Sequence, residues 1–283
     1  MLALKVILLL ILVCPPLAAA QLSVFVSVLP QKVVVQRVGG AHVQVSVMVG
    51  KGFNPATYQP TPRQIGALAG ADVYLRTGVP FEDSWLPRFQ SANPQMQVLD
   101  LRDGIELMPM VKHTHDEHKH SDALDPHIWT DPLLLDHQAA LVRGLLQQRL
   151  PEHADEFTAN YQRLSHELQD LDQEIRQMLD AVDQRRFLVF HPAWGYFAHR
   201  YGWQQVAAEH DGKEPNAREL ARLIEQANQQ GIHKVIIQPQ NNSKTARTLA
   251  EAINGKLVVA DPLAEDYFSS LRDFAGLLGE GRD

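Results

Sequence analysis

Between Glu152 and Val182 the chain has neither glycine nor proline. Across it Phe157, Tyr161, Leu164, Leu168, Leu171, Ile175 and Met178 recur at intervals of 4, 3, 4, 3, 4 and 3. That spacing lays an apolar stripe along one face of a single long helix. At 1.5 Å per residue such a helix spans roughly 40 Å, more than one small domain needs. A coiled-coil dimer would use the same stripe, but this one lasts only about three to four heptads, and strand-rich segments flank it. The spacing therefore predicts a rigid linking helix over 151–182 between two lobes, in a monomer.

Both flanks alternate strand and helix signals. On the first side, strands are expected at 22–29, 42–49, 71–76 and 97–100, with helices at 31–38, 63–69, 82–90 and 132–150. On the second side, strands are expected at 186–190, 204–208, 233–238 and 256–260, with helices at 193–201, 217–230 and 243–254. Alternation of this kind argues for parallel sheets covered on both faces. The expected fold class is thus α/β: two αβ lobes, 21–150 and 183–283, joined by one helix, with a cleft between them. No glycine-rich phosphate fingerprint follows any of these strands.

Lys5, the apolar run Val6–Cys14 and the small residues Ala18-Ala19-Ala20 describe a secretory signal peptide over 1–20, too short to span a bilayer. Cleavage after Ala20 removes the only cysteine. Lipid attachment at Cys14 is disfavoured by Val13, where a small residue is wanted. An exported, periplasmic protein is expected. A net charge of −7 argues against a nucleic-acid surface.

Histidine is abundant, with 13 in all. His113, His115, His118 and His120 crowd into a polar loop over 108–124, a composition that binds divalent metals weakly. Three other residues stand where chemistry is expected. His127 follows the loop in Asp125-Pro126-His127-Ile128-Trp129. His191 ends one strand of the second lobe and Asp261 ends another. Ligands in open parallel sheets bind beyond the carboxyl ends of strands. Imidazole and carboxylate together suit zinc, manganese or iron.

The segments Asp125–Pro132, Phe190–Phe197, Gly212–Leu220, Gln238-Pro239-Gln240 and Asp261–Ala264 resemble the periplasmic zinc/manganese-binding proteins of ABC importers. Their order and spacing agree over essentially the whole mature chain. The resemblance implies two lobes on a rigid helix, metal bound in the cleft by His127, His191 and Asp261, and delivery to a membrane permease. His191, where manganese members carry a carboxylate, favours zinc, with manganese or another divalent ion as alternatives. One position departs. In Asn54-Pro55-Ala56-Thr57-Tyr58, Ala56 replaces the family's first histidine ligand. A loop histidine or water is expected to fill that place. Glu82 matches a family carboxylate and is a candidate ligand or hydrogen-bond acceptor for a histidine.

Two other classes compete. A zinc hydrolase would need an open metal position and a base such as Glu82 or Glu209, but no His-Glu-x-x-His helix is present. A metal chaperone or adhesin would dispense with the permease.

Overall fold

The computed structural model describes residues 21–110, 124–209, 212–240 and 244–280. The expected signal peptide with Cys14 and the four loop histidines His113, His115, His118 and His120 lie outside them.

The first lobe runs β1 (Leu22–Val28), α1 (Leu29–Gly39), β2 (Val43–Val49), α2 (Pro62–Leu68), β3 (Val73–Arg76), α3 (Pro80–Ala92) and β4 (Gln97–Asp100). Two long helices follow, α4 (Pro132–Arg149) and α5 (Ala154–Asp180). The second lobe is β5 (Arg186–Val189), α6 (Gly195–Tyr201), β6 (Gln204–Ala207), α7 (Ala217–Gln229), β7 (Lys234–Ile237), α8 (Lys244–Ala252), β8 (Lys256–Val259) and α9 (Tyr267–Gly279).

The expected strands and helices are present with their ends shifted, and the shifts have a cause. Proline sits in the opening turn of α1, α2, α3 and α4. There the missing N–H has no partner to lose and the fixed φ suits a helix. Pro30, which reads as the stop of a strand, is therefore inside the start of α1. Gln31 closes the junction, its Oε1 accepting from the amides of Ser27 and Val28 at 2.9 and 3.1 Å. Helix α9 has no counterpart among the expected elements.

Both sheets are parallel and wound alike, β2-β1-β3-β4 and β6-β5-β7-β8. In each, the chain goes outward on one side of the first strand and then on the other. The winding reverses between β1 and β3, and between β5 and β7. Crevices at the carboxyl ends of such strands are where ligands are received.

Helix α5 packs against α1 and α4 on one side and α9 on the other. Its buried stripe is Phe157, Leu164, Leu168, Leu171, Ile175 and Leu179. Tyr161 is half-buried, and Met178 is 37% exposed. One hydrophobic core continues from β1 through this stripe to Trp194, Phe197 and Phe274 of the second lobe. Trp194 and Phe274 stack at 3.7 Å and 12°. A smaller core lies under the other face of the second sheet, around Leu188, Leu223 and Leu249. Among the described residues no helix is long and apolar enough to cross a membrane.

Candidate metal centre

His191 leaves the sheet two residues beyond the end of β5. Glu209 leaves it beyond β6, its amide donating to the carbonyl of Phe190 at 2.8 Å. Pairing of neighbouring strands thus brings the two side chains together, and His191 Nδ1 lies 2.9 Å from Glu209 Oε2.

His127 is set by an Asp-x-His turn. Asp125 Oδ1 accepts from the His127 amide at 2.9 Å and lies 2.7 Å from His127 Nδ1. Asp125 is held in turn by the second lobe: Tyr196 Oη donates to its carbonyl at 3.1 Å and accepts from Met108 N at 3.0 Å. Burial pushes the Tyr196 hydroxyl up to about 12, so it stays a neutral donor. Gly195 makes room for this carboxylate: a Cβ on it would stand 2.6 Å from Asp125 Oδ2, which would have to move.

The two imidazoles meet across the cleft with centroids 5.4 Å apart at 77°. Each has its Nδ1 beside a carboxylate. A neutral ring donating from Nδ1 keeps its lone pair on Nε2. Both rings are thereby set to offer Nε2 to a cation, in the carboxylate–histidine arrangement common around zinc.

Asp261 follows β8 and is tied to the same region through the backbone. Trp129 Nε1 donates to Pro262 O at 2.7 Å, and Tyr267 Oη donates to Trp129 O at 2.9 Å. The Asp261 carboxylate accepts from Leu263 N at 3.0 Å and Gln240 Nε2 at 3.4 Å. His127, His191 and Asp261 do not form a group whose ligand atoms all lie within 4.8 Å of one another; among the described residues a different trio does. The structure brings the two histidine rings into contact and places Asp261 in the loop after β8, where its carboxylate is held by Leu263 and Gln240.

Glu82 is placed otherwise than either expected role requires. It is fully buried at the reversal point of the first sheet. Its oxygens accept from Ser27 Oγ at 2.5 Å, Thr77 N at 2.9 Å, Gly78 N at 2.8 Å and Arg76 Nε at 3.2 Å. Burial pushes its carboxyl up, against those hydrogen bonds and the Arg76 charge. Both oxygens are thus engaged by Ser27 and the β3–α3 loop, and among the described residues no histidine is a hydrogen-bond partner. Ala56 is exposed, in a loop whose Pro55 carbonyl accepts from Phe81 N at 3.3 Å.

Asp125 and Glu209 are the residues sequence reading missed in their actual role. Glu209 was a candidate base for a hydrolase; it is hydrogen-bonded to a histidine instead. The signal available was local for Asp125, two residues before His127. For Glu209 it lay in strand pairing alone.

Residues 24–280 match the family model of the zinc-uptake complex component A, periplasmic. The chain belongs to that family. The high-affinity zinc uptake system protein ZnuA of Bacillus subtilis is 27% identical over 228 residues, covering 77% of this chain and 71% of that protein. The zinc-binding protein AdcA of Streptococcus pyogenes is 26% identical over 90% of this chain, which spans about half (55%) of AdcA. A crystal structure of a ZnuA deletion mutant with zinc bound is 35% identical, with TM-score 0.85, covering 92% of this chain and 97% of that one. In this zinc-uptake family the shared fold is the two-lobed α/β arrangement described above. The comparisons accord with a zinc-uptake binding protein, the first of the readings weighed above.

Proposed function

We propose that this protein captures zinc in the cleft, outside the cytoplasmic membrane, and hands it to an ABC-type permease, acting as a monomer and catalysing no reaction. The observation that carries the reading is the facing pair His127 and His191, each with Nδ1 committed to a carboxylate and Nε2 left for the ion. Asp261 supplies charge and an oxygen ligand, completing an N/O set suited to zinc. Zinc-binding relatives and the zinc-bound structural neighbour support the choice of metal. The fourth position, which Ala56 cannot fill, falls to water or to a histidine of 113–120. Export by the segment 1–20, cleaved after Ala20, is part of the same reading.

Calorimetric zinc titration of the chain from Gln21 tests it. His127→Ala is expected to abolish tight binding. Tight binding that survives this change overturns the site. Deleting 113–120 weakens binding if a loop histidine fills the open position and leaves it unchanged if water does. Ala56→His is expected to tighten it. Lowering pH is expected to release zinc, because a protonated imidazole is no ligand.

A further inference from the structure

At the other end of α4 from the cleft lies a second cluster of metal-ligating side chains. Helix α4 starts five residues after His127 and its 18 residues carry the chain about 27 Å away. There the turn Pro151–His153 leads into α5, beside the turn Gly40–His42 that feeds β2. His42, His153 and Glu156 meet at this junction, each offering a ligand atom, with all of these within 4.8 Å of one another. His42 Nε2 is 2.8 Å from Glu156 Oε2. The two imidazoles stack with centroids 3.7 Å apart at 25°. Phe157 forms a floor beneath both, edge-on at 5.7 Å to His42 and 6.1 Å to His153. The rings are partly shielded, with side chains 20% and 32% exposed, while Glu156 reaches the surface at 50%.

A plain His–Glu ion pair would need one imidazole. Here His153 is a second, and its Nε2 approaches the carboxylate of Glu152 at 3.9 Å, beyond hydrogen-bond reach. Glu152 is thus a fourth nearby ligand. A tetrahedral zinc with bonds of about 2.0–2.1 Å sets its ligand atoms about 3.3 Å apart. The His42–Glu156 contact would have to open by about half an ångström to admit it, and the stacked rings would have to tilt so that a nitrogen of each points at the ion. A cation at the start of a helix opposes the helix dipole, but Glu152, Asp155 and Glu156 put three carboxylates around this helix start.

We propose that His42, His153 and Glu156, with Glu152 or water in the fourth position, form a second zinc site remote from the cleft. It cross-links the start of β2 to the start of α5, so zinc there resists separation of these elements.

The experiment uses the full chain from Gln21 with the cleft silenced by His127→Ala and His191→Ala and with His113, His115, His118 and His120 changed to Gln. Calorimetry is expected to show one remaining zinc equivalent, removed by His42→Gln and separately by Glu156→Gln. A stoichiometry unchanged by either substitution overturns the proposal. Crystals of the unmutated chain soaked in zinc give an independent check that no variant can confound. An anomalous peak beside the ring nitrogens of His42 and His153 and the Glu156 carboxylate is expected, and its absence at zinc saturation overturns the site.

Discussion

Asp125 and Glu209 decide how His127 and His191 behave, though neither is expected to touch the ion. A histidine whose Nδ1 is not anchored rotates and samples both tautomers, so part of the binding energy goes into ordering it. Asp125→Asn and Glu209→Gln keep the side-chain size but weaken the hold on Nδ1. Each is expected to reduce zinc affinity about 10–100-fold, as seen for partners of metal-bound histidines elsewhere. Competition with a calibrated chelator measures it. An unchanged affinity would mean that these carboxylates do not set the histidines for the ion. Glu82 shows the limit of reading residues singly. Its place in a family pattern suggested a ligand. Four donors from Ser27, Thr77, Gly78 and Arg76 show a carboxylate that holds a loop.

At the scale of elements, α5 was the most legible part of the chain. Its apolar period needs no tertiary information, and the helix observed, Ala154–Asp180, falls inside the expected 151–182. What the period does not reveal is how the polar side grips each lobe. Asn160 Nδ2 donates to Val38 O of α1 at 2.9 Å. Twelve residues on, Asp172 accepts from Arg200 of α6 at 2.9 and 2.7 Å and from Arg176 at 3.2 Å. Burial alone would raise the Asp172 carboxyl, but the hydrogen bonds and charge of Arg200, with Arg176, outweigh it and hold it below the usual carboxylate range. A carboxyl lowered on folding stabilises above its unfolded value and loses that contribution as pH falls through the folded one. Asp172→Asn is expected to cost about 1–3 kcal/mol near neutral pH. The gap from the unmutated protein should close below about pH 4. Urea denaturation across pH checks this; a gap independent of pH would assign the loss to packing. Helix α9 was missed although Tyr267, Leu271, Phe274 and Leu278 repeat the 4, 3, 4 spacing of α5 on a shorter scale. Thirteen residues give that period few repeats, and a short apolar run is ambiguous until something packs against it.

For the molecule as a whole, the continuous core and the contacts between lobes bear on how zinc enters. Besides α5, the lobes are joined by Trp129 to Pro262, Tyr267 to Trp129, Tyr196 to Asp125 and the surface pair Lys32–Glu265. Rotating one lobe away from the other would break buried hydrogen bonds and part the stacked Trp194 and Phe274 from the stripe of α5. Zinc uptake is therefore expected to proceed by small movements of the loops around the site, with the lobes nearly fixed. X-ray scattering with and without zinc should give indistinguishable radii of gyration, and a clear contraction on loading would establish hinge closure instead. Thermal unfolding should shift upward with zinc concentration, since an ion that binds only the folded state stabilises by mass action.

The order of strands and helices up to β8, the linking helix, the pairing of His127 with His191 as cleft candidates and the family itself all stood in the amino-acid sequence. They depend on local periodicity and on motifs a few residues long, which survive without knowledge of the fold. Tertiary structure alone decided which groups share a hydrogen bond across distant segments. It brought Glu209 to His191 and gave Glu82 its donors from Ser27, Thr77, Gly78 and Arg76. It also stacked His42 on His153, more than a hundred residues apart in the chain. Such contacts arise from strand pairing and helix packing, and these bring together residues whose separation in sequence carries no trace of their distance in space.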